Sequence, residues 1–131
     1  MVTDNELILA ARQVAARAYS PYSKYCVGAA VLFEDAADAL FVGCNVENAS
    51  YGLTICAERN AICAGISAGF RRIEKIAIAL LNDKGAPQPS FMPCGACRQF
   101  VAEFSTDKTA VLVDNRGTWF LKELLPHVFE V

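Results

Sequence analysis

Histidine is all but missing from this chain: His127 is the only one in 131 residues. A metal site or proton relay built on imidazole therefore has one residue to draw on, and it lies near the end of the sequence, outside every motif described below. Basic excess is missing too. Twelve Lys and Arg against 14 Asp and Glu give a net charge of −2 and a pI near 5.3. A polynucleotide binder neutralises phosphates with a basic face, and Arg71-Arg72 is a pair rather than a patch. A nucleic-acid strand or an anionic membrane is thus an excluded partner, while a small, nearly neutral ligand is permitted. No stretch of about 20 apolar residues exists to span a bilayer. The opening MVTDNELILAARQ has no basic region followed by an apolar run, so no signal peptide is expected. These absences predict a cytoplasmic protein. There is no repeat, low-complexity tract or linker, and the length fits a single domain over residues 1–131.

What is present is apolar surface and cysteine. The apolar share is 54% and the mean hydropathy +0.29, above the roughly 45–50% of ordinary domains. A domain this small has little interior to absorb the surplus, which predicts a homo-oligomer. The six cysteines, in a compartment that keeps thiols reduced, read as metal ligands or core residues rather than disulfides. The Asn48-Ala49-Ser50 sequon carries no meaning without secretion.

Apolar spacing predicts a helix over residues 4–18, capped by Thr3 or Asp4. Residues 27–33 and 39–46 read as a hairpin around the acidic turn EDAAD. Helices are expected over 56–70 and 94–104, a doubly covered strand over 75–81, further strands over 110–113 and 118–121, and a last helical turn in LKELLP. Strands alternating with helices after residue 50 favour an α/β sheet covered by helices on both faces.

Two motifs carry chemistry. Pro93-Cys94-Gly95-Ala96-Cys97 places two sulfurs about one helical turn apart, a good zinc half-site. Redox pairs share this spacing, so alone it does not settle the matter. Cys56-Ala57-Glu58 supplies a third cysteine at another helix start. Three protein ligands leave a fourth tetrahedral position open, as a catalytic zinc requires. Glu58, two residues on, is close enough to reach a water on such a metal without ligating it. Zinc deaminases of nucleobases combine three Cys, or two Cys and a His, with a glutamate proton shuttle in this pattern. Three thiolates and Zn²⁺ sum to −1. Helix N-termini and a nearby cation can offset that charge; Arg59 is the stronger candidate and Arg98 the weaker. Cys26, Cys44 and Cys63 fit no ligand position and read as small core residues. A closed structural zinc module would need a fourth ligand. Cys63 lies seven residues past Cys56, about 10 Å along a helix and too far, but spacing leaves Cys26, Cys44 and His127 open.

At these residues the chain resembles the small, homotetrameric cytidine deaminases of pyrimidine salvage. The resemblance runs from Tyr19 to Phe129 and rests on SPYSKYCVGAA, GCNVENASYG, CAERNAI, MPCGACRQ and ELLPHVF. It implies a three-layer α/β/α sandwich around a five-stranded mixed sheet, one Zn²⁺ per subunit on Cys56, Cys94 and Cys97, and catalysis by Glu58. The implied reaction is hydrolysis of cytidine or 2′-deoxycytidine to the uridine and ammonia. Asn45 and Glu47 match the residues that hold the ribose hydroxyls. In the mechanism expected for such a site, backbone N–H and C=O groups near Ala57 and Cys56 orient the pyrimidine edge. Tyr25 stands where the family commonly has a stacking Phe. Tyr51 and Phe129 resemble residues sent into a neighbouring subunit's site, and Gln99 one near the metal cysteines. Deamination of another base is a rival reading, but RNA- and nucleotide-directed relatives usually carry His at the first ligand position. A nucleoside-antibiotic deaminase shares both cysteine motifs; the Asn45-x-Glu47 segment argues for an ordinary nucleoside.

Overall fold

The first helix shows how this sequence turns spacing into structure. Leu7, Ala11 and Ala15 recur every four residues, so they share one face, and all three are buried. Thr3 caps the start, its hydroxyl accepting from the Glu6 N–H at 3.1 Å. In the computed structural model, which describes residues 1–131, this helix is α1 (Asp4–Ala15). It stops three residues before the expected end. The chain tightens there into i→i−3 turns at Arg17 and Ala18, and Tyr19 then bridges Val46 in parallel, its N–H donating to the Asn45 carbonyl and its carbonyl accepting from the Glu47 N–H.

The other elements follow in order: β1 (Cys26–Phe33), β2 (Leu40–Cys44), α2 (Ala57–Ser67), β3 (Ile73–Leu81), β4 (Pro87–Gln88), α3 (Gly95–Glu103), β5 (Ser105–Val113), β6 (Gly117–Phe120) and α4 (Leu121–Leu124). The strands form one mixed sheet in the order β2-β1-β3-β5-β6. Only β3 and β5 run parallel; every other pairing is antiparallel. β4, unanticipated in a proline-rich loop, pairs Gln88 with Leu80 and Pro87 with Leu81, beyond the last β5 partner at Ile78.

Strand alternation sorts the core into two layers. Ala29, Val31 and Phe33 of β1 point to one side, where they pack with Ala61, Ile62 and Val101 of α2 and α3. Ala30 and Leu32 point to the other, against Leu7 and Ala11 of α1. Helices thus cover both faces of a mainly five-stranded sheet, the α/β/α layering that the sequence implies. Each buried Ile, Leu or Phe contributes about 1.5–3 kcal/mol of transfer free energy.

Two glycines set the layer spacing. A Cβ on Gly28 would lie 2.0 Å from the Ala11 carbonyl oxygen, and one on Gly43 would lie 2.4 Å from the Ala61 nitrogen. Helices α1 and α2 therefore sit directly on strand backbone at these points. Asn60 adds a tie, donating to the Cys44 carbonyl at 2.8 Å.

The expected strand 110–113 begins earlier, at Ser105. Its first half, Ser-Thr-Asp-Lys-Thr, has no apolar alternation to reveal it. It is held by a side chain instead: Thr109 is fully buried and donates to the Ile73 carbonyl at 2.6 Å.

Candidate active site

Helices α2 and α3 begin side by side, and each starts with a cysteine in extended backbone conformation: Cys56 before α2 and Cys94 before α3. Neither sulfur caps its own helix, so both are free to face inward. Cys97, fully buried in the first turn of α3, faces the same point. The three Sγ atoms lie within 4.8 Å of one another. A tetrahedral zinc with bonds of about 2.3 Å needs sulfurs roughly 3.8 Å apart, so this cluster closes on the ion with small side-chain rotations. Neither Cys26, Cys44 nor His127 joins the cluster.

The thiols interact even without a cation. Cys56 is pulled down to about 5, first by the hydrogen bond from Cys97 and then by Arg59. Cys97, the donor in that pair and itself buried, is pushed far up. A divalent cation held by the three sulfurs would deprotonate all three. Arg59 Nη2 lies 3.4 Å from Cys56 Sγ, and Arg59 Nε is buried with no acceptor. One guanidinium beside three thiolates and a divalent ion brings the local sum to zero. Arg98 does not share this role. It donates to the Pro93 carbonyl at 2.7 Å and the Leu124 carbonyl at 2.9 Å, tying the loop before Cys94 to the end of α4.

Glu58 sits in the first turn of α2 and is 5% exposed. Burial pushes its carboxyl above the ordinary value, and the Cys56 thiolate adds to the effect. It opens onto a cleft of about 360 Å³ that also contains Cys56, Ala57, Cys94, Asn45 and Tyr25. That volume suits a ligand of nucleoside size.

Asn45, nearly buried, is partly committed already. Its Oδ1 accepts from Val27 N–H and its Nδ2 donates to the Tyr25 carbonyl, both at 2.9 Å. One amide hydrogen and one lone pair remain for a ligand. Glu47 faces the loop at residues 20–25 rather than the cleft. It accepts from the Tyr22 and Ser23 N–H groups at 2.9 and 3.1 Å, and from the Ser23 hydroxyl. The hydroxyl is the largest cause holding Glu47 below the usual carboxylate range. Its visible work is to shape the loop that presents Tyr25.

Other expected residues lie outside the cleft. Tyr51 and Phe129 are 75% and 74% exposed. Tyr51 meets only the edge of Tyr22, at 5.9 Å. Gln99 turns from the sulfurs to the tail and donates to the Phe129 carbonyl at 2.9 Å. His127 is exposed. The three extra cysteines are not core residues: Cys63 is exposed and Cys26 and Cys44 are half-buried. Cys63 follows Ile62, and a one-residue step rotates it about 100° off the buried face of α2.

Sequence reasoning missed part of the wall. Ser23, Thr54, Phe91 and Met92 all line the cleft. Phe91 meets Tyr25 edge-on, with centroids 4.9 Å apart and planes at 87°. The signal available was position: Phe91 and Met92 immediately precede Pro93-Cys94.

Comparison with known proteins adds the following. Residues 1–113 match the family described as the cytidine and deoxycytidylate deaminase zinc-binding region. A cytidine deaminase of Halalkalibacterium halodurans is 47% identical over 127 residues, covering 94% of this chain and 91% of the relative. One from Mycobacterium tuberculosis is 43% identical over 120 residues, covering 91% and 84%. The crystal structure of cytidine deaminase from M. tuberculosis superposes with a TM-score of 0.82 at 40% identity, covering all of both chains. That from Burkholderia pseudomallei gives 0.84 at 39% identity, covering 98% of this chain and 100% of the other.

Proposed function

Because the chain belongs to the cytidine deaminase family, a family of hydrolases, we propose that it converts cytidine and 2′-deoxycytidine to uridine and 2′-deoxyuridine with release of ammonia, in cytoplasmic pyrimidine salvage. The observation that carries this reading is a cluster of three cysteine sulfurs, two of whose residues, Cys56 and Cys94, line the same cleft as the buried carboxyl of Glu58.

Cys56, Cys94 and Cys97 would hold one zinc per chain. When bound, the ion lowers the pKa of a water so that a nucleophile is available at neutral pH. Glu58 then does the proton work. It takes a proton from the attacking water and delivers it to N3 of the pyrimidine as oxygen adds at C4. It next carries a second proton to the departing amine. One group acts as base and then as acid, which suits a carboxyl raised toward neutrality by burial. Arg59 balances the thiolate charge that would otherwise weaken the metal's pull on the water.

Binding falls to the remaining wall. The ring lies along Tyr25, whose hydroxyl is free to meet solvent at the half-open mouth. Ala57, in the turn that carries Glu58, supports the pyrimidine edge with its backbone. The ribose hydroxyls are assigned to Asn45, through its unspent hydrogen and lone pair, and to Glu47, whose carboxylate would turn from Ser23 toward the sugar to take one. Nothing in this set separates ribose from deoxyribose.

The cleft is completed by copies of the chain in a homotetramer. The exposed Tyr51, Leu53, Ile55 and Phe129 form apolar surface beyond what a monomer of this size needs. Tyr51 and Phe129 are the side chains offered to a neighbour's site. A closed structural zinc module is disfavoured, since no fourth cysteine or histidine joins the cluster. The test is the ultraviolet absorbance of cytidine, and separately of deoxycytidine, after protein is added with and without a zinc chelator. Absorbance should fall for both substrates and only where metal is present. Folded, zinc-loaded protein that leaves both untouched would sink the reading.

A further inference from the structure

The loop between β3 and α3 delivers Phe91, Met92 and Cys94 to the cleft in quick succession, with little regular structure beyond the two residues of β4. Its fixed point is Ser90, which is fully buried. The Ser90 N–H donates to the Asp114 carbonyl at 2.9 Å, and the Ser90 carbonyl accepts from Arg116 Nε. Asp114 is anchored in turn. Its N–H donates to the Ile78 carbonyl at 2.9 Å, and its carboxylate takes Arg12 in a two-pronged pair at 2.7 and 2.8 Å. Ser90 is therefore gripped by the β5–β6 turn, which is itself tied to the central strand and to α1.

The turn aims Arg116. Asn115 has φ 59° and Gly117 φ 141°, left-handed conformations that suit Asn and Gly and let the chain reverse over three residues between the Val113–Gly117 pair. That reversal folds the exposed Arg116 back over the buried serine. One residue past the clamp, Phe91 meets Tyr25 edge-on. Both rings are about half exposed, 44% and 52%, so burial alone does not hold them.

We propose that Arg116 is a positioning residue for the substrate: by holding the Ser90 carbonyl it fixes the Phe91 ring against Tyr25 and so sets how tightly the cleft holds the pyrimidine. The proposal rests on the cleft being the nucleoside site. Arg116 itself does not line the cleft; it acts through Ser90 and Phe91. A charged donor on a buried carbonyl is among the stronger hydrogen bonds. Its loss frees the ring that flanks the base without touching the sulfurs or Glu58. The cost falls on ground state and transition state alike, so KM moves and kcat does not.

The experiment compares Arg116→Leu, which keeps bulk and loses the donor, with Arg116→Lys, which can still donate. For Arg116→Leu, KM for cytidine should rise about five- to tenfold, with kcat within about twofold and bound metal unchanged. Arg116→Lys should recover most of the affinity. Exchange protection of the Ser90 amide should fall in the first variant and persist in the second. Unchanged KM with unchanged Ser90 protection overturns the proposal. So does a fall in kcat with loss of metal, which would make the loop a support for Cys94 instead. If the wild-type protein itself fails to turn over cytidine, the nucleoside reading fails separately, and unchanged Ser90 protection in Arg116→Leu still overturns the clamp.

Discussion

Replacing Glu58 by Gln isolates the proton-transfer role from everything else the residue does. Glutamine fills the same space in the first turn of α2 and leaves the three sulfurs untouched. The side chain is 5% exposed and its carboxyl is raised by burial, so an amide removes a group whose charged form is costly there. The melting temperature should therefore hold or rise slightly, and the metal content should not change. Activity is another matter. An amide neither accepts the water's proton nor returns it to N3 and the amine, so both proton transfers lose their catalyst. General acid–base catalysis is worth up to about 10⁴-fold, and a loss of that size in kcat is about 5.5 kcal/mol of barrier at 1.36 kcal/mol per tenfold. Cytidine should still bind, so KM should shift far less than kcat. Steady-state absorbance assays on metal-quantified protein separate the two. A Glu58→Gln variant with full metal and near-normal kcat would refute the proposed role.

Other perturbations test the scaffold. Gly28→Ala drives a methyl into the Ala11 carbonyl, where two backbones must separate; it should cost about 3 kcal/mol and lower the melting temperature by roughly 10 °C, read by calorimetry. Glu47 is held below its ordinary 4.5 by Ser23 and the Tyr22 and Ser23 amides. Its folded value thus lies below its unfolded one, so its grip on the loop at residues 20–25 is complete above the ordinary value and is lost as pH falls through the depressed one. Protection factors of the Tyr22 and Ser23 amides should drop on acidification below 4.5, and a Glu47→Gln variant should show no such step.

The parts of this protein legible in its sequence were those written in local patterns. The Leu7, Ala11, Ala15 spacing gave α1, the unbroken apolar run at 75–81 gave the central strand, and Cys-x-x-Cys with Cys-Ala-Glu gave the sulfur cluster. What stayed hidden depends on distant pairing. Ser105–Thr109 is strand because Thr109 bonds to Ile73, a partner 36 residues away. Pro87-Gln88 is strand only because β5 leaves the β3 edge open past Ile78. Cys63 looked like core on composition, but its place on the helix turns it outward. Gln99 and Arg98 follow a cysteine in sequence, yet their side chains hold the tail. Phe91 joins the cleft because Ser90 is clamped by a turn more than 20 residues downstream, a contact no local pattern announces.

The central claim is that three thiolates and Glu58 form a hydrolytic metal centre. Titrating metal-free protein with zinc while following cytidine turnover tests it most directly. Activity should rise linearly and stop at one equivalent per chain, with cobalt in place of zinc giving the charge-transfer intensity of three thiolates. Turnover that ignores metal content, or a metal held by four thiolates with no turnover, would contradict the account.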